Sequence, residues 1–343
     1  MKKALIASTA LALSAGFAAA DVTISGYGRT GVQYYENTDA EDLAGKSESQ
    51  IVSRLRMNID ASTSTDQGVD FGARFRLQWD QGHDARGEDA ATNAGKLYVT
   101  SNGLTVEIGN VDTAFDSNGL IYETELGVYD RSVGFSDRAG SFFTYKSDAY
   151  ADVDRVGVRV LYEIDNLTVQ ASYVDPDQSG LNEATSTIED GVKYFHDVEE
   201  EYGLSVDYLW NERLELSAAY VMNGAGVKDN DILFVGARYA VMDNARIGLN
   251  YVDASNDGVT GSDDEPEYVE QGNTVAIYGD YTLADGLTNI EAYVANNDAE
   301  WNETDNAFGI GVNYDLGGAR LGASLQRDYD ERVTADMGVR FDF

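Results

Sequence analysis

The last eleven residues alternate without a break. Val333, Ala335, Met337, Val339, Phe341 and Phe343 fall on one face; Thr334, Asp336, Gly338, Arg340 and Asp342 fall on the other. Strand side chains alternate with a period of two, so this segment predicts a strand with one apolar face and one wet face. The pattern recurs and predicts sixteen strands, over 22–35, 51–63, 69–79, 95–100, 104–109, 153–163, 167–175, 199–209, 213–222, 231–241, 245–253, 273–283, 287–296, 305–315, 319–326 and 333–343. Most approach the roughly 9–11 residues that a tilted membrane strand needs.

The connections sort by length. After every second strand the turn is minimal and built from residues that turn cheaply, such as Asp66–Gln67–Gly68, Asn102–Gly103, Met242–Asp243–Asn244 and Gly317–Gly318. The intervening connections are mostly long, polar and acidic, as over 37–50, 176–198 and 254–272. A soluble sandwich has no reason to sort its loops this way. A membrane barrel with one trimmed end, one elaborated end and an even strand count does. The apolar faces suit lipid: Leu233, Val235, Ala237, Tyr239 and Val241 on one strand, Phe308, Ile310, Val312 and Tyr314 on another, Tyr202, Leu204, Val206, Tyr208 and Trp210 on a third. Tyr34, Tyr35, Trp79, Tyr173, Trp210, Tyr251 and Tyr314 sit at segment ends, where an aromatic girdle meets the headgroups. The fold expected is all-β, a 16-stranded antiparallel transmembrane β-barrel with a long inward-folded loop after strand 5.

The N-terminus sets the compartment. Met1–Lys2–Lys3, an apolar stretch from Ala4 to Phe17 and Ala18–Ala19–Ala20 make the three parts of a secretory signal peptide. Residues 1–20 are therefore expected to be cleaved, leaving 21–343 as a single barrel domain. No other apolar run approaches the roughly 20 residues of a spanning helix, so a membrane location requires a closed barrel. The chain has no cysteine, which rules out disulfides and thiol chemistry. Its formal net charge of −36 argues against a nucleic-acid partner, which needs a basic footprint.

The polar face of the first three strands carries the candidate chemistry. Alternation turns Arg29, Arg54, Arg56, Arg74 and Arg76 inward while Leu55, Met57, Phe71, Ala73, Phe75 and Leu77 point out. Five guanidinium groups in lipid would be prohibitive, so they must line water or pair with acids. The connection after strand five, roughly 110–152, is too long for an ordinary loop and too apolar to float, with Phe115, Leu120, Ile121, Leu126, Phe135, Phe142, Phe143 and Tyr145 among its residues. Packed inside the barrel, it sets Asp112, Asp116, Glu123, Glu125, Asp130 and Asp137 across an opening from the arginines. A barrel of about 16–18 strands leaves an aqueous channel, and fixed charges at its narrow zone govern what passes.

Together these parts resemble the trimeric general diffusion porins of Gram-negative outer membranes, in their α-proteobacterial form. The resemblance covers 21–343 and rests on the Ala-x-Ala signal, the sixteen strands, the outsized loop, and the endings Asn313–Tyr314–Asp315–Leu316–Gly317–Gly318 and Met337 to Phe343. It implies a homotrimer in outer-membrane lipid and lipopolysaccharide, with Phe343 read by the barrel-assembly machinery. It also implies a water-filled pore for passive diffusion of ions and small hydrophilic solutes, with no enzymatic step and no cofactor. The enteric Pro-Glu-Phe-Gly-Gly loop tip is missing here. The alternatives are a solute-specific channel with a binding site in the bore, an outer-membrane barrel hydrolase and an exported soluble β-protein. His83 and His196 both fall in external loops and give a hydrolase little support. The loop acids Asp263, Asp264, Glu265 and Glu267, or Asp328, Asp330 and Glu331, are either solvated charge or a Ca²⁺ site without an EF-hand pattern. Gly26 to Gly31 spells a dinucleotide fingerprint, but within one strand and with no helix after it. External acids favour cations at the mouth and the inner arginines favour anions, so ion preference stays open.

Overall fold

A computed structural model describes residues 21–36, 47–81, 91–92, 95–139, 155–176, 178, 186–189, 192–195, 199–226, 229–254, 257–262 and 265–343. The signal segment 1–20, His83, His196, Phe142, Phe143, Tyr145, Asp263 and Asp264 lie outside them. Sixteen strands form the barrel: β1 Asp21–Tyr35, β2 Ser49–Ser64, β3 Asp70–Gln81, β4 Lys96–Ser101, β5 Leu104–Gly109, β6 Val156–Ile164, β7 Leu167–Asp175, β8 Glu201–Trp210, β9 Leu214–Met222, β10 Ile232–Met242, β11 Ala245–Asp253, β12 Asn273–Thr282, β13 Thr288–Asn297, β14 Asn306–Asp315, β15 Arg320–Arg327 and β16 Val333–Asp342. Each pairs antiparallel with its neighbours, and β1 pairs β16 with Arg29 opposite Arg340. Phe343 extends that seam: its N–H donates to the Gly26 carbonyl at 2.9 Å, and the Gly26 N–H donates to its carbonyl at 2.8 Å. The β1–β16 pairing closes the sheet into a barrel, the kind of structure that can cross lipid.

Alternation decides what faces out. Leu97, Ile108, Leu204, Leu249, Ile277, Val294, Ile310 and Leu325 are all exposed, an apolar belt around the wall. One girdle expectation is corrected. Tyr34 and Tyr35 are adjacent on β1 and so cannot share a face; Tyr35 points inward and accepts a hydrogen bond from Arg131 at 2.7 Å. The long connections 176–198 and 254–272, read as loops, each contain a hairpin, Ser186–Glu189 with Val192–Phe195 and Asp257–Ser262 with Glu265–Glu270. Ala91–Thr92 adds a short pairing to β3. These segments carry no sustained apolar face, so periodicity did not mark them.

The buried core lies inside the barrel. Phe115, Leu120, Ile121, Leu126 and Phe135 of the loop after β5 pack on Val221, Ile232, Phe234, Val252, Tyr278, Tyr293 and the small Ala219, Ala276, Ala295 and Ala307 of the inner wall. Each large apolar group so enclosed contributes about 1.5–3 kcal/mol. The wall is cut back where the loop touches it. A Cβ at Gly309 would stand 2.7 Å from Leu126, and one at Gly322 would stand 2.8 Å from Val128.

Candidate channel constriction

The root of the loop is tied by buried charge. Glu107 on β5 takes Lys96 Nζ at 3.0 Å and Arg159 Nη2 at 2.6 Å, and Lys96 also reaches Asp112 at 3.5 Å. Arg159 donates further to the Ser117 hydroxyl, and Gln170 donates to the Ser117 carbonyl at 3.2 Å. The chain then follows the wall. Ala114 N–H donates to Ser172 at 2.8 Å, Gly119 N–H to Asp207 at 2.8 Å, and Asn250 Nδ2 to the Leu120 carbonyl at 2.7 Å. It reverses at a bridge between Leu126 and Arg131, with Gly127 at φ 73° and Asp130 at φ 48°. Beyond the reversal Gln326 donates to the Arg131 carbonyl at 3.0 Å, and Tyr329 donates to the Gly134 carbonyl at 2.8 Å. The loop therefore leans on strands β6 to β16 and leaves the wall of β1–β3 open to the lumen. It touches that wall at its reversal, where the Tyr129 hydroxyl donates to the Val52 carbonyl, Arg29 donates to the Tyr129 carbonyl and Arg131 donates to the Tyr35 hydroxyl, each at 2.7 Å.

On the open wall, register turns scattered arginines into a row. Arg54 stands opposite Arg29, Arg29 opposite Arg340, and Arg340 opposite Arg320, across β2, β1, β16 and β15. Like charges directly opposite destabilise a sheet. Asp130 at the loop reversal offsets this: it pairs with Arg320 at 2.8 Å and with Arg340, and stands 3.9 Å from Arg29. Neighbouring strands supply the other partners. Arg54 pairs with Asp80, Arg74 Nε donates to Asp60 at 2.6 Å, Arg56 donates to Gln78, and Arg76 Nε donates to Asn58 at 3.0 Å. The guanidiniums of Arg29, Arg56 and Arg340 all stand over the ring of Tyr27.

The loop acids distribute along the wall rather than gathering at one point. Asp130 meets the arginine row. Asp112 turns to Lys96, Glu123 pairs with Arg238, and Asp137 takes Arg131 at 3.1 Å. Asp116 accepts the Tyr122 hydroxyl proton in a hydrogen bond. Removal from water pushes the Asp116 carboxyl up to about 7, against the opposing pull of Tyr122. Burial, reinforced by the nearby Asp130 charge, holds Glu125 well above the usual carboxylate range. Glu125 lines a cavity of about 270 Å³ between loop and wall, with Glu123, Asp130, Arg246, Asp280 and Glu291. Alternation puts Arg340 on the polar face of the last strand but joins neither it nor Arg320 to the cluster, because register across the β1–β16 seam has no signature in either strand alone. Among the described residues no group of three or more histidine or carboxylate side chains is arranged to hold a metal ion. Around Asp328, Asp330 and Glu331 the carboxylates serve Arg327, Arg332 and backbone N–H groups.

Comparison with known proteins agrees with this architecture. A family profile described as Gram-negative porin matches residues 7–333. The porin of Fuscovulum blasticum is 40% identical over 327 residues, spanning 94% of this chain and all of that protein. A triple mutant of Rhodopseudomonas blastica porin superposes with a TM-score of 0.77 at 37% identity, covering 94% of this chain and 100% of that one. A structure from work on asymmetric conductivity of engineered proteins gives the same TM-score at 38% identity and the same coverage. The chain belongs to the Gram-negative porin family: it is an outer-membrane β-barrel that acts as a diffusion channel and not as an enzyme.

Proposed function

We propose that ions and small hydrophilic solutes are selected in the gap between the arginine wall and the loop face carrying Asp130 and Glu125. The single observation behind this reading is the row Arg54, Arg29, Arg340 and Arg320 with Asp130 set against it. Opposed fixed charges in a narrow bore impose a field on whatever crosses. Planar-bilayer recording of Arg54→Ala with Arg74→Ala tests it. Higher conductance and a lower anion-to-cation permeability ratio are expected; unchanged conductance and selectivity refute the assignment. A solute-specific channel is the second reading, for which the cavity beside Glu125 offers a place. Saturable, competable flux would favour it.

The family resemblance extends the proposal to a homotrimer. Thr30 and Ser53 face outward and share a hydrogen bond at 2.8 Å, a polar pair ill-suited to lipid and suited to cover by a second copy. A detergent-extracted trimer that dissociates on heating would support this, and a monomer under all mild conditions would refute it. The exposed apolar belt suits outer-membrane lipid and lipopolysaccharide. Cleavage before Asp21 would free the first residue of β1, and Phe343 at the seam is proposed as the signal read by the barrel-assembly machinery.

A further inference from the structure

Tyr27 stands where three strands bring their arginines together. The guanidinium of Arg340 lies 4.2 Å from its ring centroid, that of Arg56 5.4 Å and that of Arg29 5.8 Å. Three cations from three strands thus share one aromatic group. An aromatic face is negative, so it attracts each guanidinium, which also stacks on it as an ammonium would not. Arg56 lies directly opposite Tyr27 in the β1–β2 register. Among the described residues Arg56 has no carboxylate in ion-pair range; its other contact is the bond from Nε to Gln78. Arg29 is held from two sides, with the Tyr129 ring of the loop 5.1 Å from its guanidinium.

We infer that Tyr27 is a positioning residue for charge selectivity, its ring gathering Arg29, Arg56 and Arg340 into one fixed positive face on the channel wall. This rests on the proposed constriction. Arginine side chains are long and have alternative acceptors nearby. Arg340 already bonds Asp342 at 3.0 Å and Arg29 already donates to the Tyr129 carbonyl at 2.7 Å; without the ring to oppose them, these contacts draw the two guanidiniums away from the shared face. A guanidinium drawn back from about 4 to about 8 Å from the ion path loses half its interaction with a passing ion. Cations and anions respond with opposite sign, so the permeability ratio moves roughly fivefold per guanidinium released.

Reversal potentials in a salt gradient test this on barrels that pass a heat-modifiability check. Tyr27→Leu is expected to lower the anion-to-cation ratio by about fivefold for each guanidinium that leaves the cluster. Tyr27→Phe, which keeps the ring, is expected to leave it at the wild-type value. A series of fluorinated phenylalanines at position 27 preserves shape while draining the ring of negative potential, and should lower the ratio stepwise even if Tyr27→Leu does not fold. A flat fluorination series, or a Phe variant as altered as the Leu variant, overturns the inference. The outcome is separable from that of the constriction reading: a flat series alongside an altered Arg54→Ala, Arg74→Ala channel removes the role of Tyr27 alone.

Discussion

Neutralising Asp130 is the sharpest probe of the electrostatics, because one carboxylate serves three arginines. Asp130→Asn keeps the shape and removes one negative charge from beside Arg29, Arg320 and Arg340. A unit charge about 4 Å from a passing ion is worth about 1 kcal/mol in a water-filled bore. Its loss disfavours a cation and favours an anion by that amount, so the permeability ratio moves by about 2 kcal/mol, or roughly thirtyfold. Salt near 0.1 M has a Debye length of about 10 Å and trims this only in part, leaving a shift toward anions on the order of tenfold. The barrel should survive. Arg340 retains Asp342 at 3.0 Å, Arg320 retains the Gly127 carbonyl at 3.3 Å, and Arg29 retains the Tyr129 carbonyl at 2.7 Å. The assay is reversal potential at low and high salt, with the shift shrinking as salt rises. No shift, or a shift toward cations, refutes the placement of Asp130 beside the ion path.

Two further outcomes concern stability. Glu107→Gln strips the shared carboxylate from Lys96 and Arg159, whose side chains are only 5% and 11% exposed, and breaking such a buried set costs about 3–5 kcal/mol. The thermal unfolding midpoint in detergent should fall accordingly, and an unchanged midpoint would show that the loop root is not anchored there. Asp116 has its carboxyl raised from 3.8 to about 7 by burial, so over that interval the folded protein holds a proton that the unfolded chain has released. Its contribution to stability therefore declines as pH rises through that window. Asp116→Asn should flatten this part of a stability-against-pH curve, whereas a variant curve parallel to wild type would place the titration elsewhere.

Much of the barrel was legible because its determinants are local. Period-two alternation marks strands and assigns faces, so the inward direction of Arg29, Arg54, Arg56, Arg74 and Arg76 followed from their spacing alone. Turn chemistry at Asn102–Gly103 or Gly317–Gly318, where Asn102 has φ 50° and Gly103 and Gly317 have φ 79°, marks the short end. What stayed hidden depends on pairing. Arg320 and Arg340 pair across neighbouring strands and join the row only through the β1–β16 register, which links positions as far apart in sequence as Arg29 and Arg340. The loop after β5 repeats nothing, so its apolar content announced burial while the direction of each acid, Asp112 to Lys96 or Glu123 to Arg238, was decided by the wall it met.

The arginine row crosses the seam between the first strand and the last. Arg29 and Arg54 are synthesised early and Arg320 and Arg340 late, so the pairing that completes the cylinder also forces the four charges together. Asp130, which relieves that repulsion, comes from the middle of the chain. Zipping the ends is thus less favourable while the lumen is empty and more favourable once the mid-chain segment is seated. The counter-charge acts as a checkpoint on the order of assembly, making a barrel that shuts without its inner loop the less stable product.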